Sequence, residues 1–175
     1  MSADIKKILV TGALGQIGSE LTLELRNIYG KDNVIATDIR DCDCASAVFD
    51  GPYQKLDVLD SEAIEKIILD NQIDSVVHLA AILSGVGEKK PTLCWNVNIN
   101  GSLNILNLGV KHKLNRIFIP SSIAVWGPDC PKHAPQETVL HPTTMYGVTK
   151  VSGEVIGEYY FNKFGLDVRG LRYPG

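Results

Sequence analysis

No stretch of this 175-residue sequence stays apolar for the roughly 20 positions that a bilayer-crossing helix needs, which argues against a membrane partner. Basic charge is not in surplus either. The 17 Lys and Arg face 20 Asp and Glu, giving a net charge of -3 and a pI near 5.8. Such a balance offers little to neutralise a phosphate backbone, so nucleic acid is not an expected partner. Cysteine is scarce, at four residues. Cys42 and Cys44 are spaced C-x-C, and Cys94, Cys130 and His133 supply no second ligand pair of the kind zinc sites use. Free thiols and no metal are expected. The opening MSADIKKILV puts only a few residues before the first apolar run, which predicts no export or targeting segment and a cytoplasmic location, where thiols stay reduced.

What is present reads as one ordinary globular domain, 45% hydrophobic and 21% charged. Short apolar runs alternate with helix-period segments, the pattern of a parallel sheet covered on both faces. Six strands are predicted, at Lys7–Thr11, Asn33–Asp38, Tyr53–Asp57, Ser75–Leu79, Arg116–Pro120 and Asp167–Tyr173. Most lack polar alternation, as strands buried on both faces require. Between them, the first helix carries Ile17, Leu21, Leu25 and Ile28 on one face, and the third Ile99, Leu103, Leu106 and Val110. Ile64, Ile67 and Ile68 pack the second on the sheet, with Asp60 or Ser61 as its cap. Pro91 suits the first turn of the third helix, and the last helix runs from about Thr144 to Phe164. Two irregular stretches, Arg40–Gly51 and Ser121–Pro142, are long enough to suspect functional loops. The fold class is α/β, a doubly wound parallel sheet of expected order 3-2-1-4-5-6.

The segment Thr11-Gly12-Ala13-Leu14-Gly15-Gln16-Ile17-Gly18 lies between the first strand and the first helix, where a diphosphate meets backbone N–H groups and a helix N-terminus. Gly12 permits the tight turn, Gly15 the approach of the diphosphate, and Gly18 close packing of helix on strand. A glycine-rich turn with no ligand is the alternative, and Asp38 weighs against it. It closes the second strand about 20 residues beyond Gly18, where a carboxylate accepts ribose hydroxyls and repels a 2'-phosphate. That favours NAD over NADP. Arg40, two residues on, would pair with a 2'-phosphate if it folded back over the site.

Tyr146 and Lys150 stand at i and i+4 in TTMYGVTKVSGE, on one face of the last helix. A phenol is a poor base at neutral pH unless a nearby positive charge favours its phenolate, and Lys150 supplies one. Ser121 and Ser122, just after the fifth strand, sit at the carboxyl edge where open α/β sheets bind ligands. Either hydroxyl is placed to hold a substrate oxygen near Tyr146, and a loop-capping role is the alternative for both.

The strings ILVTGALGQIGSEL, LAAILSG, SSIAVWGPD, HPTTMYGVTKVSGE and YYFNKFGLDVRGLRYPG resemble the extended short-chain dehydrogenases, the family that includes NDP-sugar epimerases and dehydratases. Within that family they look most like the short-chain type of L-threonine 3-dehydrogenase. The resemblance implies a Rossmann fold binding NAD through Gly12, Gly15, Gln16, Ile17, Gly18, Asp38 and Ile39. It also implies contacts from Asp57 and Val58 to the adenine, and from Leu79, Ala80, Ala81, Tyr146, Lys150 and Tyr173 along the cofactor. Asp57 reads equally as a turn residue, and the small side chains at Leu79-Ala80-Ala81 equally as close packing. The implied reaction is oxidation of the L-threonine β-hydroxyl to L-2-amino-3-oxobutyrate. Tyr146 would be the base, Ser122 would orient the oxygen, Lys150 would lower the Tyr146 pKa, and Ser84, Ser121 and Thr144 would hold the amino acid. Each of those three reads also as a loop or cap residue. Family members continue into a smaller domain that closes over the substrate. Residues 1–175 are thus expected to be the NAD-binding domain without that closing domain, able to bind NAD but poorly active alone. A homodimer through the third and last helices is also implied. An NDP-sugar epimerase or dehydratase, and a noncatalytic NAD-sensing protein, are the competing readings.

Overall fold

Alternate residues of the first strand leave on opposite faces, so Leu9 enters one core while Ile8 and Val10 enter another. That division organises the molecule. The computed structural model describes residues 5–41 and 46–174, and the expectation for Cys42 and Cys44 lies outside them. The strands are β1 (Ile8–Thr11), β2 (Val34–Asp38), β3 (Tyr53–Lys55), β4 (Ser75–His78), β5 (Arg116–Phe118), β6 (Ser121–Ser122), β7 (Val168–Arg169) and β8 (Arg172–Tyr173). One parallel sheet has the order β3-β2-β1-β4-β5-β7, the expected doubly wound arrangement. Thr11 lies level with Thr37 and His78 across the central strands, which aligns their carboxyl ends at one edge.

The predicted sixth strand is broken in two. β7 continues the main sheet, whereas β8 pairs with β6 in a separate parallel ribbon. At the break, a Cβ on Gly170 would lie 2.5 Å from the Ile119 carbonyl oxygen, so the chain passes closer than a side chain allows.

The helices are α1 (Gln16–Tyr29), α2 (Ser61–Asp70), α3 (Ser84–Gly87), α4 (Pro91–Trp95), α5 (Gly101–Lys111) and α6 (Met145–Phe164). A π-helical turn at Asn96–Asn100 joins α4 to α5, so the predicted third helix is continuous but one turn is wide. Ile99 and Leu106 are buried in it, with Leu103 and Val110 packed against the core. Asp60 caps α2 by accepting from Ala63 N–H at 2.9 Å, and Ile64, Ile67 and Ile68 are buried as expected. Burying such side chains contributes roughly 1.5–3 kcal/mol each.

The face predicted for α1 requires correction. Leu25 packs against the core as expected, but Ile17 and Ile28 are exposed and the buried line is Gly18, Thr22 and Arg26. The cause is close approach: a Cβ on Gly18 would lie 2.3 Å from the Gly12 carbonyl oxygen. The helix therefore rests on its smallest residue. Lower down, the Arg26 guanidinium donates to the Val48 and Pro52 carbonyls at 2.6 and 2.7 Å, an inward polar role that hydrophobic periodicity does not register.

Candidate functional site

Gly12 has φ of +70°, a conformation open to glycine at little cost, and it turns the chain from β1 into the loop before α1. No side chain caps α1, whose N-cap is Gly15. Its first-turn N–H groups are consequently free for an anion, and the helix dipole adds to their pull. Beside this loop lies a cavity of about 280 Å³ lined by Gly12, Gly15, Asp38, Ile39, Asp57, Val58, Leu79, Ala80 and Ala81, with Arg40, Leu56, Ile82 and Val97. Nine residues that the sequence resemblance assigns to the cofactor thus line one cavity. Gln16 and Ile17 stand exposed in the first turn of α1, and Gly18 is buried beneath the loop. Asp57 accepts from Leu59 N–H at 3.0 Å, so it shapes a turn while lining the cavity.

Asp38 is buried, and its carboxylate accepts from Leu14 N–H at 3.1 Å and from the Arg40 guanidinium at 3.0 and 3.1 Å. Burial alone would raise its pKa, but the bonds from Arg40 and Leu14 outweigh that and hold the carboxyl below its ordinary value. On β4, across β1 from the strand of Asp38, the His78 Nδ1 meets the Thr11 hydroxyl at 2.8 Å. Burial, helped by the Lys150 charge, pushes its pKa down to about 3, so this imidazole stays neutral.

The second group of residues lies along α6. Thr144 caps the helix by accepting from Gly147 N–H at 3.0 Å, which commits its hydroxyl to the helix end. One turn in, Tyr146 is half-buried and Lys150 is buried, with Lys150 Nζ 5.4 Å from the phenol ring centroid. The sequence-based expectation that Lys150 lowers the Tyr146 pKa is corrected here. Burial dominates and pushes the phenol up, and the Ser122 side chain, as its hydrogen-bond partner, pulls it down. Lys150 itself is lowered to about 8 by burial, and its Nζ donates to the Pro120 carbonyl at 2.8 Å.

Ser121 and Ser122 point apart, as neighbours in a strand must. Ser122 partners Tyr146 and accepts from Ala124 N–H at 3.1 Å. Ser121 is buried and donates to Glu154 at 2.5 Å. Glu154 also takes a two-point bond from Arg172 at 2.7 and 2.8 Å, and Arg172 lies over the Trp126 ring. Sequence reasoning missed this network, although Glu154 is four residues past Lys150 on the same helix face. It also missed Asn98, which in the π-helical turn bonds both Ile82 backbone groups and Thr149. Tyr173 pairs with Ser122 across the β6–β8 ribbon, and Ser84 stands exposed at the start of α3. A second cavity, of about 440 Å³, opens beside Ser121, Lys150, Glu154, Phe161 and Leu171.

A doubly wound sheet and an uncapped helix behind a glycine turn, with Ser122, Tyr146 and Lys150 gathered at the strand ends, are the features of a Rossmann-type domain. The chain belongs to the NAD dependent epimerase/dehydratase family, whose pattern matches residues 8–175. It is 47% identical over 172 residues to an uncharacterized epimerase/dehydratase of Staphylococcus saprophyticus, covering 98% of this chain and 53% of that protein. The chain therefore spans about half the length of the curated relatives it matches. Among solved structures it is similar to L-threonine dehydrogenase from Clostridium difficile, with a TM-score of 0.92 and 48% identity over 99% of this chain and 54% of that one. It is also similar to UDP-glucose 4-epimerase from Brucella ovis in complex with NAD, at a TM-score of 0.86 and 25% identity over 97% and 52% of the two chains. Among the described residues no helix is long and apolar enough to cross a membrane, and no three His, Cys, Asp or Glu gather as a metal site.

Proposed function

We propose that residues 1–175 are the NAD-binding part of a dehydrogenase that oxidises L-threonine at its β-hydroxyl to L-2-amino-3-oxobutyrate. The observation that carries this reading is the convergence of Tyr146, Lys150 and Ser122 at the strand edge, where Lys150 lines a small pocket with Ala80 and Ala81, which also line the 280 Å³ cavity of Asp38. The likeness to the Clostridium difficile enzyme supports the substrate. The chemistry that NAD held there would supply is a hydride acceptor for the threonine Cβ.

The chain's own residues supply the rest. Gly12, Gly15 and the α1 N-terminus would receive the diphosphate, and Asp38 would face the adenosine ribose. Ser122 would hold the substrate oxygen and Tyr146 would take its proton. Lys150, next to Tyr146 and bonded to the Pro120 carbonyl, would hold this part of the helix against the strand edge. Exposed Ser84 is available to the amino acid, whereas the Ser121 and Thr144 hydroxyls are engaged within the protein. Pairing of two copies through α4–α5 and α6 is supported by exposed Trp95, Val155 and Tyr159. The deciding experiment offers L-threonine and UDP-galactose separately, with NAD, to the full-length protein that contains residues 1–175. NADH formed from threonine is the expected result, and turnover of the sugar nucleotide with none of threonine would transfer the assignment to an epimerase.

A further inference from the structure

The Asp38 carboxylate has no acceptor position to spare. A carboxylate offers about four lone-pair sites. Four donors meet them: Leu14 N–H and Arg40 Nη2 on Oδ2, both at 3.1 Å, and Arg40 Nε and N–H on Oδ1, at 3.0 and 3.2 Å. The two backbone donors are fixed by the chain. The two guanidinium donors are not, because the Arg40 side chain is 57% exposed over a carboxylate that is 6% exposed. Both residues line the same 280 Å³ cavity.

We infer that Arg40 competes with the adenosine ribose for Asp38 and makes this end of the cavity tolerant of a 2'-phosphate, weakening NAD binding while admitting NADP. The inference rests on the dinucleotide reading of the cavity. Ribose hydroxyls reach Asp38 only by displacing guanidinium donors, and the Arg40 side of the pair is exposed enough for water to take those donors over. Once displaced, or from where it stands, the guanidinium presents further N–H donors in the planar arrangement that suits phosphate oxygens. A 2'-phosphate meets a neutral pair in place of a lone anion, so the repulsion expected of Asp38 alone is largely cancelled.

The two effects have opposite signs, which makes them separable from a structural role. Calorimetric titration of the protein with NAD and with NADP, without substrate, is the test. Wild type should bind both, NAD more tightly. Arg40→Ala should tighten NAD about threefold and weaken NADP roughly tenfold, the latter corresponding to one lost charge-assisted contact. Arg40→Lys, which keeps the charge but not the fork, should hold NADP within about threefold of wild type. Weakening of both ligands by Arg40→Ala, no change in either, or undetectable NADP binding by wild type would each overturn the inference and leave the dinucleotide reading intact. Failure of wild type to bind either ligand would instead remove that reading itself.

Discussion

Lys150 and Pro120 are joined by a 2.8 Å bond from Nζ to the backbone carbonyl, which pins the middle of α6 to the strand end that leads into Ser121. Burial depresses this ammonium from 10.5 to about 8. Its folded pKa is thus below its unfolded one, and between about pH 8 and 10.5 the unfolded chain binds the additional proton. Stability relative to a variant lacking the group rises with pH across that window. Urea unfolding of wild type and Lys150→Met should show wild type gaining up to roughly 3 kcal/mol relative to the variant from pH 8 to 10.5. A pH-independent difference would place the Lys150 pKa near its unfolded value.

Tyr146→Phe keeps the ring that packs beside Lys150 but deletes the phenol oxygen. Threonine turnover should fall about a hundredfold or more, with NAD affinity unchanged within about twofold, because the glycine loop is untouched. NADH formation and calorimetry measure the two separately. Near-normal turnover by the variant would mean that another group takes the proton.

The central strands and the glycine loop were readable because fully buried strands such as β1 and β2 carry continuous apolar runs and because a diphosphate turn needs glycine at fixed places. The inward face of α1 was not. Its contact with the sheet is set by backbone approach at Gly18 and by the carbonyls that Arg26 reaches, and neither leaves an apolar signature. The same holds for Ser121 and Ser122. Both were nominated at the right sheet edge, but which hydroxyl faces Tyr146 depends on the pairing of Ser122 with Tyr173, a contact made across about 50 residues. The split of the last strand at Gly170 arises likewise from a distant neighbour, Ile119.

Glu154 binds Ser121 and Arg172 at once, with both charged side chains at most a quarter exposed. Glu154→Leu leaves a guanidinium without its carboxylate and a buried hydroxyl without its acceptor, and should cost about 2–3 kcal/mol. Glu154→Gln keeps one acceptor oxygen, within reach of both Ser121 and Arg172 Nε, loses the second bond to Arg172, and should cost less than the Leu variant. An unfolding midpoint of the Leu variant equal to wild type would show that the network adds no net stability.

Two alanines in the glycine loop should behave differently. At Gly18 the new Cβ would meet backbone at 2.3 and 2.8 Å, so Gly18→Ala must shift the helix and should cost about 2 kcal/mol or more. At Gly15 the only close neighbour is the Gly12 carbonyl oxygen at 3.2 Å. Gly15→Ala should therefore fold with a loss below about 1 kcal/mol, yet weaken dinucleotide binding roughly tenfold by crowding the diphosphate. Thermal unfolding and calorimetric titration of both variants check this. Equal stability loss in the two would refute the distinction.

The π-helical turn between Trp95 and Gly101 makes the chain sensitive to length there in a way that it is not to composition. A π turn holds one residue more than an α-helix needs, and each helical residue turns the chain by about 100°. Deleting one position in Asn96–Asn100 would restore an unbroken α-helix while swinging Pro91–Trp95 about a quarter of the way round its axis. Cys94, fully buried beside Gly87, would leave its pocket, and Asn98 would lose its hold on Ile82 and Thr149 together. Substitutions on the outer side of that turn are therefore compatible with the fold, whereas a single-residue gap would uncouple the helix from the segment that carries Tyr146.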